Sequence, residues 1–301
     1  MENSLKYFRN NYFLIVLFLS YQLFAQKDTS SFYDTYERCI TACNPNELLH
    51  YFELNHYEKE QIINVASYLT YHGNDDCGNK LAKLCIEKND SITAGNWHTY
   101  SVQNTKNGNY AEAIYGLENS LAIAPKEMEG YYGWVLLYYY RDYKKALLHL
   151  NHYDSLTPGV IDAPVGENIH FLKGLCYYQL NEFEKSILEF EKNNVFEKNH
   201  FGKKNVNAYI YFYMARNYDK QNNLKLAEIC YKKAIKQSQF PVEANYYLGM
   251  LYKYKKQNLK KANLYFEKSQ NYLKQGYKQQ DSYIELFDEV YLTQINKEVG
   301  N

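Results

Sequence analysis

The sequence predicts an all-α chain of stacked helical hairpins, an α-solenoid, and three observations carry that prediction. First, apolar residues recur at helical spacing on both sides of a polar break at Asn222-Asn223: Tyr211, Met214, Ala215 and Tyr218 before it, Leu224, Ala227, Tyr231 and Ala234 after it. Second, Ala215 and Ala227 are small where two antiparallel helices must approach, and Tyr211, Leu224 and Tyr231 fill the space beside them. Third, two helices of about three turns bury only one face each, so such a unit needs copies to stack on, and copies are present along the chain.

The first copy carries Trp97, Gly108-Asn109-Tyr110, Ala113, Leu117 and Pro125. The second carries Tyr131, Trp134, Tyr138, Asp142-Tyr143, Ala146, Leu150 and Pro158, and the third Gly174, Tyr177, Asn181-Glu182-Phe183, Ser186 and Phe190. Ser186 replaces the alanine expected at its position. Tyr209 to Ala234 is the fourth, and the fifth runs Leu248-Gly249, Tyr252, Asn258-Leu259, Ala262 and Phe266, with one extra residue in the turn between its helices. The order large-x2-large-small-x2-Tyr, then Asn-Leu-x2-Ala-x3-aromatic-x2-Ala, resembles the tetratricopeptide repeat, whose unit is about 34 residues. The resemblance covers roughly residues 94–276 and implies a superhelix of about five repeats that binds other proteins on its inner surface.

Taken in order, residues 1–25 read as an export signal. Lys6 and Arg9 precede the apolar run Tyr12 to Leu19, and the small residue Ala25 follows. The run is far short of the ~20 residues of a membrane-spanning helix; an uncleaved anchor is the alternative. Export places the chain in the periplasm or outside the cell. Residues 26–93 read as an N-terminal helical cap: Ser31 to Ala42 is helix-like, Asn44-Pro45-Asn46 ends one helix and caps the next, and Glu58 to Tyr71 with Asp76 to Lys88 form a degenerate repeat in which Ala66, Ser67 and Ala82 are the small contact residues. Two connections, Thr157 to Asn168 and Asn199 to Asn207, hold turn formers and read as rim loops. Residues 277–301 read as a capping helix, with Tyr283, Ile284, Phe287, Val290, Tyr291 and Ile295 along one side to cover the last repeat.

Composition narrows the function. With 46% hydrophobic residues the chain has ample core, and 34 basic against 34 acidic residues leave no positive surplus for nucleic acid. No Gly-x-Gly-x-x-Gly, phosphate-loop, His-Glu-x-x-His or Gly-x-Ser-x-Gly segment occurs, so no enzyme, cofactor or metal is predicted. His149 and His152 share a helix face but lack a third ligand. Cys39, Cys43, Cys77 and Cys85 are candidate disulfide cysteines, since all precede the clear repeats in a chain that reads as exported. Cys77 and Cys85 lie about 12 Å apart along one helix at 1.5 Å per residue, so they cannot bond each other. Any bridge from them crosses to another helix. Buried thiols are the alternative; Cys176 and Cys230 read as core.

The resemblance also implies where a partner sits. Carried onto this sequence, the groove face of the first helices includes His98, Tyr132, Tyr139, Phe171, Tyr178, Phe212, Arg216, Tyr246 and Lys253. Family members that grip a terminal carboxylate use a lysine and asparagine set; His98 and Val102 stand in those places here, so that clamp is absent. What remains is an aromatic floor suited to a protein or peptide segment, with Arg216 and Lys253 available to an acidic flank. Glycan or small-ligand binding by the same rings is the alternative.

Overall fold

The computed structural model describes residues 44–71, 74–88, 92–239, 241–277 and 284–299. The export signal, Ser31 to Ala42, Cys39, Cys43 and Tyr283 lie outside the described residues. Among those described, the chain is all-α, and it divides into two compact units that meet in sequence at Ser120 and Leu121.

The first unit contains α1 (Pro45–Leu54), α2 (Lys59–Tyr71), α3 (Asp75–Glu87), α4 (Ala94–Lys106) and most of α5 (Tyr110–Ile123). Asn44 caps α1 and Pro45 opens it, where the missing amide hydrogen costs nothing. Helices α2 and α3 pair with Ala66 and Ala82 fully buried at their contact, and Leu49, Phe52, Ile63, Leu69 and Leu81 close the core around them. Thr93 and Asn96 bond reciprocally as a capping box at the start of α4. Gly116 lies so close to α4 that an added Cβ would stand 2.9 Å from the Tyr100 ring.

The second unit repeats one contact three times. Its hairpins are α6 (Pro125–Val135) with α7 (Tyr143–Leu156), α8 (Ile169–Gln179) with α9 (Phe183–Phe201), α10 (Ala208–Lys220) with α11 (Leu224–Gln237), and α12 (Val242–Met250) with α13 (Leu259–Lys274). In three of them a glycine of the first helix meets a large side chain of the second, Gly133 facing Leu150, Gly174 facing Phe190 and Gly249 facing Phe266; in the other, Ala215 and Tyr231 are buried at the corresponding positions. A Cβ at Gly174 would lie 2.8 Å from the Phe190 ring, closer than packed carbons come. Ser186 has its own use: its hydroxyl donates to the Gly174 carbonyl at 2.8 Å and accepts from the Asn217 amide at 2.9 Å, tying one hairpin to the next.

Helices α6 and α12 each end in a π-turn, Leu136–Tyr140 and Leu251–Lys255. The cause is a count: Asp142 lies nine positions after Gly133 and Asn258 nine after Gly249, whereas Glu182 lies eight after Gly174 and Asn223 eight after Ala215. The extra residue expected in the turn of the last repeat is therefore taken up inside the end of its first helix, where a wider turn keeps the following cap in register. Arg141, Asn181, Asn222 and Gln257 then hold the left-handed backbone of the tight turn, with φ between 52° and 61°. Asp142, Asn223 and Asn258 cap the next helices.

Two expectations are corrected. Helix α9 runs on to Phe201, so the second loop starts at Gly202 instead of Asn199. The loop after α7 docks through Pro164, which is buried against Gly130 while Val165 and Gly166 are exposed, and Glu167 accepts from Tyr138 Oη at 3.0 Å. Among the described residues of the C-terminal end, helix is confined to α14 (Leu292–Val299), which packs on α13 through Ile295 and a 2.8 Å bond from Gln270 to Asn296. Residues 284–291 are not helical, because Ile284, Phe287 and Val290 are buried against the repeats and Asp288 turns the chain at φ 58°.

Candidate peptide-binding face

Helices α8 and α10 of the second unit, with the π-turn that ends α6, face one stretch of non-helical chain, residues 284–290. Arg216, near the middle of α10, forms a fork on the Asp288 carboxylate, with Nε 3.1 Å from Oδ2 and Nη2 3.2 Å from Oδ1. Tyr178, from α8, donates its hydroxyl to the same carboxylate at 2.6 Å. Two parallel guanidinium bonds plus a phenol fix the position and direction of one acid, which a single ammonium would not do. Tyr213 Oη donates to the backbone carbonyl of Phe287 at 2.8 Å, so main chain is gripped as well as side chain.

The Phe287 ring stacks on Tyr138 at 5.7 Å between centroids, meets the edge of Tyr143, and lies under the Arg141 guanidinium at 4.3 Å. Arg141 also donates to the Glu285 carbonyl at 3.0 Å. Further along, Lys253 and Tyr254 both bond Glu298 of α14, at 3.0 and 2.9 Å.

Electrostatics keep these groups in fixed protonation states. Burial drives the Tyr178 hydroxyl far above its ordinary value, with Arg216 opposing and Asp288 adding to the rise. Burial lowers the Arg216 guanidinium, but its tyrosine and Asp288 neighbours outweigh that and hold it well above the ordinary range. Both are donors throughout the neutral range. Arg216 is braced independently of the segment, by the Tyr247 ring at 3.8 Å and by Asp219 at 3.7 Å.

Of the nine residues expected on the groove, the structure brings Tyr178, Arg216 and Lys253 to this face. Tyr139 is half-buried beside Trp134. His98, in the first unit, is half-buried on α4, and burial lowers its pKa. The other four are interior. Tyr132 lies against His149, Phe171 against Phe190 and Tyr213, Phe212 against Tyr231 and Tyr247, and Tyr246 against Phe266. Their rings are wide enough to bridge between helices, so the positions expected on an aromatic floor carry packing. Tyr138, Arg141 and Tyr213, not expected on the face, supply its contacts instead; Tyr138 lies within the π-turn and Arg141 follows it in left-handed backbone.

The other candidate groups are explained locally. His149 and His152 both turn Nδ1 to the buried Glu129, at 2.5 and 2.7 Å, and among the described residues no group of three or more His, Cys, Asp or Glu side chains is placed to hold a metal. Cys77 is disulfide-bonded. Cys85 is a thiol, raised to about 11 by burial. Cys176 and Cys230 are buried thiols inside repeat helices.

No protein-family model and no curated protein matches the chain. Solved structures do. The C-terminal part of a TPR repeat-containing protein from Cytophaga hutchinsonii aligns over 79% of this chain and 94% of its own, at 18% identity and a TM-score of 0.54. The fold is of the tetratricopeptide-repeat type. MamA from Desulfovibrio magneticus RS-1, residues 41 to its end, aligns over 60% of this chain and 96% of its own, at 17% identity and a TM-score of 0.50. PilW, a type IV pilus biogenesis factor, aligns over 73% and 96%, at 16% identity and the same TM-score. At these identities the likeness concerns fold, and function has to be argued from the tetratricopeptide face itself.

Proposed function

We propose that this chain is a non-enzymatic, exported tetratricopeptide scaffold that holds a peptide segment of another protein on the inner face of its second unit. The observation that carries the reading is the grip on residues 284–290, in which Tyr213 takes a backbone carbonyl while Arg216 and Tyr178 take a carboxylate. A surface that binds main chain, an acid and an aromatic ring together has the chemistry of extended-peptide recognition. The same geometry favours peptide over glycan, because four of the rings that a sugar would need lie in the interior. Tyr178 and Arg216, both held protonated, are positioning donors and not proton-transfer groups near neutral pH.

Export is supported by Lys6, Arg9, the short apolar run and Ala25, and by the disulfide at Cys77, a bond that the reducing cytosol disfavours. Periplasmic or extracellular placement follows, with an uncleaved N-terminal anchor as the alternative. The test uses the full chain carrying Phe287→Ala and Asp288→Asn, screened against a random peptide library and an oligosaccharide array. Retention of peptides that is lost on adding Arg216→Ala is the expected result; retention of sugars and of no peptide would overturn the reading.

A further inference from the structure

We propose that residues 284–290 act as a resident pseudo-ligand, and that the partner which displaces them carries the same signature: an apolar residue, two spacers, an aromatic residue, an aspartate, one spacer and an apolar residue. This rests on the reading of the inner face as a peptide site, and adds what the site reads and what regulates it.

The register of the contacts gives the signature. Ile284, Phe287 and Val290 are buried, while Asp288 alone among the acids of the stretch meets the Arg216 fork and the Tyr178 hydroxyl. Glu285 instead meets Arg141, its carbonyl at 3.0 Å and its carboxylate at 3.7 Å, with a side chain 67% exposed. The central acid is thus read by three donors and Glu285 weakly, while Glu289 accepts from the Leu286 amide at 3.1 Å and the Tyr291 hydroxyl at 2.9 Å, close to it in sequence.

The occupant is replaceable because the face does not depend on it for its own construction. Arg216 stays braced by Tyr247 and Asp219, and Tyr138 stays packed on Trp134 and bonded to Glu167. The hairpins close on Gly174, Ala215 and Gly249, none of which contributes to holding the segment. An incoming peptide therefore finds a built site, and competes with a tethered segment for it. While the tethered segment is seated, apparent affinity falls by the fraction of time the face is open.

The probe is a fluorescein-labelled peptide with the sequence of residues 284–299, titrated against the full chain by anisotropy. The full chain with Phe287→Ala and Asp288→Asn should bind it at least about tenfold more tightly than the wild type, since the weakened tail leaves the face open for longer. A peptide with asparagine in place of the aspartate should bind at least about tenfold more weakly. Equal affinity for the two proteins, with the variant as helical as the wild type, overturns self-occlusion. Binding of library peptides without this pattern, and not of the probe, overturns the signature and leaves the peptide-scaffold reading standing; binding of no peptide to either protein removes both. A second measurement needs no variant: excess unlabelled peptide added to wild-type chain should accelerate hydrogen exchange at residues 284–290 while α8 and α10 stay protected. Unchanged exchange there at a peptide concentration that saturates the anisotropy signal overturns the proposal. A chain that dimerises as it releases the segment identifies a second copy as the partner and retains the signature.

Discussion

Two hairpins of this chain, α2–α3 in the first unit and α8–α9 in the second, close with different materials. In the first, α2 and α3 meet through Ala66 and Ala82 with aliphatic neighbours such as Ile63, Leu69 and Leu81. In the second, a wide ring sits on glycine, Phe190 on Gly174, as Phe266 sits on Gly249 in α12–α13 and Tyr100 on Gly116 in α4–α5, whereas α6–α7 sets Leu150 on Gly133. The aliphatic core is non-directional and tolerates irregular spacing, whereas the ring contact demands a fixed step between a small and a large residue. Regular repetition is therefore plainest where a large side chain sits on a small residue at a set place in the pattern, and the aliphatic α2–α3 hairpin is the one that carries a disulfide, at Cys77.

The comparison is broken most severely by removing a ring. Phe190→Ala deletes a fully buried side chain that touches Gly174, Phe171 and Tyr213. It should destabilise the second unit by about 3–5 kcal/mol, read by urea unfolding, with hydrogen exchange accelerated in α8 and α9 and little changed in α2 and α3. Equal acceleration in both units would mean that they do not differ as described.

Cys77→Ser is the counterpart for the first unit. If Cys77 pairs with Cys39 or Cys43, as we propose, the bridge closes a loop of about 40 residues and contributes roughly 3–4 kcal/mol in the chain-entropy model. The variant should loosen α2 and α3 and spare α8 to α13. The same pairing predicts fewer than six reactive thiols in denatured, unreduced protein, and a count of six eliminates it.

The smallest effect concerns pH. Burial would raise the Glu228 carboxyl, but hydrogen bonds from Lys232, Lys256 and Tyr252 hold it at about 2, against an ordinary 4.5. A depressed folded-state pKa means that its stabilisation is complete above about pH 4.5 and lost as pH falls towards 2. Glu228→Gln should therefore be less stable at pH 7 and lose less stability across that window. Parallel pH profiles for wild type and variant would show that the cluster contributes nothing.

Much of this was legible in the sequence, and the exceptions have physical causes. The hairpins of the second unit follow from helical spacing plus a small residue at a fixed step, and the degenerate repeat from Ala66 and Ala82. The nine-position step from Gly133 to Asp142 and from Gly249 to Asn258 signalled the π-turns; read as turn length alone, it hid the place of Tyr138 within such a turn and of Arg141 directly after it. The path of residues 284–290 was not legible. Apolar residues at 284, 287 and 290 satisfy a helical stripe, and the tertiary contacts that override it lie up to 144 residues away in sequence, as between Arg141 and Glu285. Asp288 was the local sign: an acid between Phe287 and Val290 on an otherwise apolar stripe needs a buried cation, and Arg216 supplies it.

The central claim is that the Arg216 fork holds residues 284–290 on the inner face of the second unit. Hydrogen exchange on the full chain carrying Arg216→Ala tests it most directly. The account predicts that amides of residues 284–290 exchange at least about tenfold faster than in the wild type, a loss of about 1.4 kcal/mol or more in local opening free energy, with α13 as protected as before; wild-type protection of residues 284–290 in that variant would contradict it.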